Sequence, residues 1–368
     1  MMDEEISVKE LRELMEMGKP VTIVDIRTAA DRSEWWIPGS VHVDAYAAVK
    51  AGHPGPLGDV NLPVETPVVT ICGVGKTSAL ASTHLRSRGL KVRTLAGGMK
   101  AWSLAWNSAA IDLPRTKAQI VQVRRTGKGC LSYLLGSDGV GAVIDPSVDP
   151  QVYLEMAARR GWTITQVLET HVHADHLSRA RQVVELTGAT LSLPAQDRVR
   201  FAHSAVQDGD AIRVGAATLT AWRSPGHTAE STCYFLEGAV FTGDTLFLAA
   251  VGRPDLGADA GDARLRATAL YHSLKRLLAL APGTLVLPGH TGQPVGFDEI
   301  PVADDIATVE RRLKPRLRSE QDFVSSLLGR IPAPPPNHAR IVAINEDGSA
   351  YDGDVTELEA GANRCAVP

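Results

Sequence analysis

Three histidines and an aspartate, His171, His173, Asp175 and His176, fall within six residues, directly after an apolar, β-branched run at 162–168. The run reads as a buried strand. Side chains this polar are poor core material, and a loop just past a strand end can turn them toward one point. Nitrogen and oxygen donors converging on rigid backbone are what a first-row metal requires. The simpler alternative is a solvated loop, but short His-rich tracts are common metal-binding signals. Three further segments repeat the pattern: Gly226-His227 after the run at 217–222, Gly243-Asp244 after a second run, and Gly289-His290 after 284–287. Glycine just before the polar residue permits a tight turn and close backbone approach.

Four such features in this order resemble the metallo-β-lactamase superfamily, over roughly residues 116–368. The resemblance implies an αββα sandwich with a metal at one edge.

A chain of 368 residues favours two domains, and 44% hydrophobic residues suit proper cores. Net charge is −4, which gives no nucleic-acid or anionic-membrane footprint. No stretch reaches the ~18 apolar residues of a membrane span. The start, Met1-Met2-Asp3-Glu4-Glu5, is acidic and has no apolar core, so neither a secretory signal nor a transit peptide is expected. Four scattered cysteines, Cys72, Cys130, Cys233 and Cys365, do not form a disulfide framework, and a reducing cytoplasm is expected.

The first unit, residues 1–112, alternates helix (8–17), strand (21–26), strand (68–71), helix (78–88) and strand (92–95). Such alternation predicts an α/β fold with a mainly parallel sheet. The linker is expected near residues 109–117, where Pro114 breaks the pattern. The second unit, 113–368, opens with strands at 120–123, 131–135 and 140–144, and a helix is expected at 303–312. Pro332 and Pro334-Pro335-Pro336 predict a tail extended over the surface.

Cys72-Gly73-Val74-Gly75-Lys76-Thr77 lies between the strand ending at Ile71 and the following helix, where open α/β sheets place their chemistry. Inward amides, the helix dipole and Lys76 would stabilise a thiolate or persulfide there. Gly75-Lys76-Thr77 matches the end of a phosphate-binding loop, but Thr70 stands where that pattern needs its first glycine. A buried structural cysteine is the other alternative. The loop, together with Val24-Asp25-Ile26-Arg27, residues 36–42 and residues 95–102, resembles the rhodanese family of sulfurtransferases. That resemblance assigns Cys72 the role of persulfide carrier. Thr77 stands where many members have arginine, which bears on the choice of sulfur donor or acceptor.

Ligand types alone leave two metal arrangements open. His171, His173 and His227 hold one ion and Asp175, His176 and His290 a second, bridged by Asp244, in a two-metal hydrolase. Alternatively His171, His227 and Asp244 form a facial triad for one Fe(II), with His173, Asp175, His176 and His290 around it. Residues 252–255, 270–274, 308–317 and 362–365, with Cys130 and residues 132–135, resemble persulfide dioxygenases. The aromatic that relatives often carry two positions after the last histidine is replaced by Gly292.

By that resemblance one Fe(II) per chain oxidises glutathione persulfide with O₂ to sulfite and glutathione. The rhodanese unit exchanges sulfane sulfur with thiosulfate or sulfite. Arg253 and Arg316 are the candidate anchors for glutathione's carboxylates, since arginine's planar fork suits them. Cys130, Cys233 and Cys365 are expected to be bystander thiols. No nucleic-acid or membrane partner is expected, and homo-oligomerisation is left open. The alternative is a glyoxalase II-like thioester hydrolase, which shares all seven metal-site residues, carrying a sulfur-sensing or docking rhodanese-like module.

Overall fold

The computed structural model describes residues 4–114 and 116–368. The acidic start Met1-Met2-Asp3 and Arg115 of the expected linker lie outside the described residues.

Short β-branched runs form the first sheet. Its order is Glu5–Ile6, Val92–Leu95, Val68–Ile71, Thr22–Asp25, Val41–His42, and all four pairings are parallel. Val68–Ile71 is wholly buried at the centre, as a strand covered on both faces must be. Helix Val8–Glu16 starts at a capping box in which Ser7 and Glu10 satisfy each other's backbone amides. Helix Lys76–Ser87 begins two residues earlier than its sequence suggests. Gly75 makes the turn at φ 86°, so Lys76 and Thr77 already lie in the first helical turn.

The second unit is two sheets packed face to face. A seven-stranded sheet runs in the order Ser204–Val206, Thr190–Pro194, Thr163–Leu168, Val140–Ile144, Cys130–Ser137, Gln119–Arg125, Asn107–Ile111. A six-stranded sheet runs Ala211–Val214, Ala217–Arg223, Thr232–Leu236, Ala239–Gly243, Leu285–Pro288, Asp304–Asp305. Tyr133, Leu135 and Leu168 of the first sheet interdigitate with Leu219, Tyr234 and Phe241 of the second. Helices Pro150–Arg159 and Ala180–Thr187 cover one outer face. Helices Ala260–Leu277, Ile306–Leu313 and Glu320–Leu328 cover the other. The layers are therefore αββα, as expected.

Two expectations need correction. Strand Asn107–Ile111 pairs antiparallel with Gln119–Arg125, so most of the expected linker's first half is an edge strand of the sandwich. The tail is extended only around its prolines, where residues 331–335 carry no helix or strand. It folds into helices His338–Asp347 and Val355–Glu359 and the strand Ala366–Val367, which pairs with Val251–Gly252. Among the described residues, no helix is long and apolar enough to cross a membrane.

Candidate metal centre

The strand ends converge at one edge of the sandwich. Thr163–Leu168 delivers the loop carrying His171, His173, Asp175 and His176, Ala217–Arg223 leads to His227, Ala239–Gly243 to Asp244 and Leu285–Pro288 to His290. All seven side chains are buried. Burying so many polar groups is costly unless they are paired or bind a metal.

Three groups of donors result. His171 Nε2 and His227 Nε2 lie 3.8 and 3.7 Å from Asp244 Oδ2. Asp175, His176 and His290 form a second group, with His290 Nε2 3.0 Å from Asp175 Oδ2 and His176 Nδ1 3.1 Å from Asp175 Oδ1. The two groups meet where Asp244 Oδ1 pairs with His290 Nδ1 at 2.5 Å. His173 joins neither. Its Nε2 lies 3.0 Å from Glu169 and 3.4 Å from Asp145, in a third group.

Hydrogen bonds aim the first group. Thr170 Oγ1 sits 2.9 Å from His171 Nδ1, and the Arg253 carbonyl accepts from His227 Nδ1 at 2.8 Å. Each leaves Nε2 as the free donor, the usual way a ligating histidine is oriented. His171 Nε2 and Asp244 Oδ2 are buried with no hydrogen-bond partner. An orphaned imidazole nitrogen facing an orphaned carboxylate oxygen is a pairing that a metal cation satisfies, so the residues fit one. Close backbone packing holds them: a Cβ at Gly252 would stand 2.0 Å from the Asp244 carbonyl and 2.8 Å from His227 Cβ.

Electrostatics sort the imidazoles. Burial, with His173 and His227 nearby, drops the His171 pKa well below the usual value, and burial also lowers His227. Both shifts favour the neutral imidazole that a metal ligand requires. Burial opposes protonation of His173, but Asp145 and Glu169 outweigh it and raise its pKa well above the usual value. Burial opposes His290 likewise, and Asp175 and Asp244 outweigh it. Burial and Asp175 push the Cys130 thiol up, but the imidazoles of His176 and His290 overcome them and lower it to about 7.

Several roles expected from sequence change here. Arg253 cannot anchor a substrate, because its guanidinium is consumed within the fold. It donates to Asp255 and to the carbonyls of Pro332, Ala333 and Arg364. Arg316 lies in the short helix Lys314–Arg316, against Arg330, and is not part of the cavity wall beside His171. Cys130 and Cys365, expected to be structural or bystander thiols, lie at the centre: Cys130 beside Asp175, His176 and His290, and Cys365 beside Asp244 and His290. Asn363 donates to Asp175 Oδ2 at 3.1 Å, and Asn345 to the carbonyls of His173 and His176. Sequence reasoning missed Asp145, Glu169 and Asn345, and met Asn363 only within the motif at 362–365. The acidic Glu169 directly before Thr170 was the one local signal.

Beside the centre lies a cavity of about 600 Å³. His171, His173, Arg179, Arg181, Phe201 and Tyr351 are among its lining residues. Arg179 is tied to Glu359 at 3.1 Å. Arg181 stacks its guanidinium over Phe201 at 5.1 Å and pairs with Glu185 at 3.8 Å, its side chain partly exposed.

In the first unit Cys72 is buried, 1% exposed. Its Sγ accepts from Ser78 N at 3.4 Å and Ser78 Oγ at 3.3 Å. Ser78, directly after the expected loop, was missed. Gly73, Val74 and Lys76 are exposed, Gly75 is half-buried, and Thr77 is buried.

Strands ending in His and Asp at the edge of an αββα sandwich define a metal-dependent class of protein. Residues 125–290 match the metallo-beta-lactamase superfamily and residues 7–105 the rhodanese-like domain. A hydroxyacylglutathione hydrolase of Nitrosococcus oceani is 32% identical over 55% of this chain and 71% of its own length. One from a Methylobacterium species is 32% identical over 43% of this chain and 65% of its own, and one from Maricaulis maris 37% over 41% and 57%. The chain thus spans under two thirds of the length of those last two relatives. Among solved structures, ETHE1 from Myxococcus xanthus is 33% identical with a TM-score of 0.50, covering 58% of this chain and 92% of that one. A Staphylococcus aureus metallo-beta-lactamase is 28% identical with a TM-score of 0.58, covering 64% and 74%. The chain belongs to the metallo-β-lactamase superfamily and carries a rhodanese-like domain ahead of the sandwich.

The expected persulfide dioxygenase activity is corrected by these relatives, whose names are those of hydrolases. The residues that had tipped the reading toward oxidation include Arg253, which serves the fold. Metal binding stands on the donor groups, and their residue types alone do not select iron.

Proposed function

We propose that the sandwich is a metal-dependent hydrolase of glutathione thioesters. The observation that carries this reading is the coupled pair of donor groups, His171/His227/Asp244 and Asp175/His176/His290, joined through the Asp244–His290 contact. The hydroxyacylglutathione hydrolases among its relatives support the substrate class. Metal ions held there supply a Lewis acid and an activated water at neutral pH.

The protein's own part is placement. Thr170 and the Arg253 carbonyl fix the ring orientations of His171 and His227. The first group offers three protein donors, so a metal held there would have room for water or substrate. The adjoining cavity receives the thioester, with Arg181 taking a glutathione carboxylate from the wall and Tyr351 of the tail limiting water. Water adds across the thioester to give a carboxylate and free glutathione. The rhodanese-like unit is a sulfur-sensing module in which the Cys72 thiolate takes the outer sulfur of thiosulfate and releases sulfite, with Ser78 donating to its Sγ.

The test is hydrolysis of S-lactoylglutathione by the metal-loaded full chain, followed by thiol release. Turnover lost on chelation and restored by metal is expected. Loaded protein that releases no thiol from this or other glutathione thioesters overturns the reading.

A further inference from the structure

We infer that Cys130 is a thiolate ligand of the second metal position, completing a Cys130/Asp175/His176/His290 site. The inference rests on the metal-centre reading and adds a sulfur donor that the two-metal assignment lacks. Four buried side chains here place ligand atoms within 4.8 Å of one another. Cys130 Sγ lies 3.3 Å from Asp175 Oδ2 and 3.9 Å from His176 Nδ1, and His290 Nε2 lies 3.0 Å from Asp175 Oδ2. Metal–sulfur bonds of about 2.3 Å and metal–nitrogen bonds of about 2.0–2.1 Å make tetrahedral edges of roughly 3.3–3.6 Å. The observed spacings bracket that range.

Backbone pairing sets the arrangement rather than chance side-chain rotation. Cys130 opens strand Cys130–Ser137 and forms an antiparallel bridge with His290. The Leu131 amide donates to the Gly289 carbonyl at 2.7 Å, and the Thr291 amide to the Gly129 carbonyl at 2.9 Å. Two hydrogen bonds thus clamp the two ligand-bearing segments to each other. Meanwhile Asp244 Oδ2 faces His171 and His227, and its Oδ1 is taken by His290 Nδ1. Cys130 Sγ is the fourth donor atom grouped with Asp175, His176 and His290. A soft thiolate among nitrogen and oxygen donors favours zinc or cobalt over magnesium or manganese. Cys365 is the rival thiol, but its group contains only Asp244 and His290.

The experiment titrates metal-stripped, full-length protein with Co(II) under anaerobic conditions and records its absorption spectrum. A sulfur-to-cobalt charge-transfer band in the near ultraviolet is expected. It should disappear in Cys130→Ser and persist in Cys365→Ser, with circular dichroism checking that each variant is folded. The wild-type band is itself a test that needs no variant. Cobalt bound without such a band overturns the inference and leaves the metal centre standing, as does a band that survives Cys130→Ser and vanishes in Cys365→Ser. A chain that binds no cobalt overturns the metal centre and the inference together.

Discussion

His171 and His173 are two positions apart, both buried, yet their surroundings give them opposite tasks. His171 presents an unpartnered Nε2 to Asp244, whereas His173 Nε2 is engaged by Glu169 and Asp145. His171→Ala therefore removes one of three donors to the first metal position, while His173→Ala removes a neighbour that is not aimed at it. Metal content after dialysis should fall sharply for the first variant. For the second, affinity should drop by no more than the ~10–100-fold typical of supporting groups. Equal loss in both would mean that His173 swings in as a ligand. Arg181 makes a separable prediction. If it holds only a distant carboxylate of the substrate, Arg181→Ala removes binding that is equal in ground and transition states. KM for S-lactoylglutathione should rise with kcat nearly unchanged. A kcat loss without a KM change would place Arg181 at the reacting atoms instead.

The elements explain which parts of this centre were legible in sequence. A β-branched run ending in glycine and then His or Asp is a local pattern, and strand ends meet at a sheet edge wherever strands pair. That is why His227, Asp244 and His290 were legible, while His171 was legible from the dense His/Asp tract that follows its strand. Cys130 and Cys365 were not, because a lone cysteine is usually core and their proximity to the histidines depends on distant strand pairing. Arg253 was misjudged for a related reason: its partners are carbonyls of the tail, about eighty and a hundred and ten residues on. The tail also carries the element most exposed to test, the short helix Val355–Glu359. Glu359, fully buried, pairs with Arg125 at 2.6 Å and Arg179 at 3.1 Å and accepts from the Leu177 amide at 2.8 Å. Burial opposes its ionisation, but Arg125 and Arg179 outweigh burial and hold the carboxyl at about 2, down from 4.5. A depressed folded pKa contributes stability above pH 4.5 that is lost as pH falls toward 2. Glu359→Gln leaves Arg125 a buried, uncompensated charge, which should cost about 3–5 kcal/mol in urea unfolding at neutral pH. The gap between wild type and variant should close as acid protonates Glu359. A constant gap down to pH 2 would show that packing, not charge, sets the loss.

At the scale of the molecule, the rhodanese-like unit abuts the segment that leads to the metal centre. The Trp35 indole donates to the Thr126 carbonyl at 2.9 Å, the Arg125 guanidinium to the Ser103 carbonyl at 2.7 Å, and the Gly127 amide to the Ala105 carbonyl at 3.3 Å. Residues 125–129 are thus held from the first unit, and Cys130 follows them directly. From the far side, Lys100 of helix Gly98–Trp102 pairs with Asp354 and Glu357 of the tail. That pair is exposed and contributes little. The buried contacts decide how the units depend on each other. Trp35→Phe keeps the apolar bulk but leaves the buried Thr126 carbonyl without its donor, a loss of about 1–3 kcal/mol. Because the freed carbonyl lies four residues from Cys130, metal affinity should fall along with stability. Thermal unfolding of the apo and metal-loaded variant separates the two effects. A larger drop in melting temperature for the loaded form means that the first unit braces the centre through residues 125–129. Equal drops in both forms would make the interface a passive join between two independent sites.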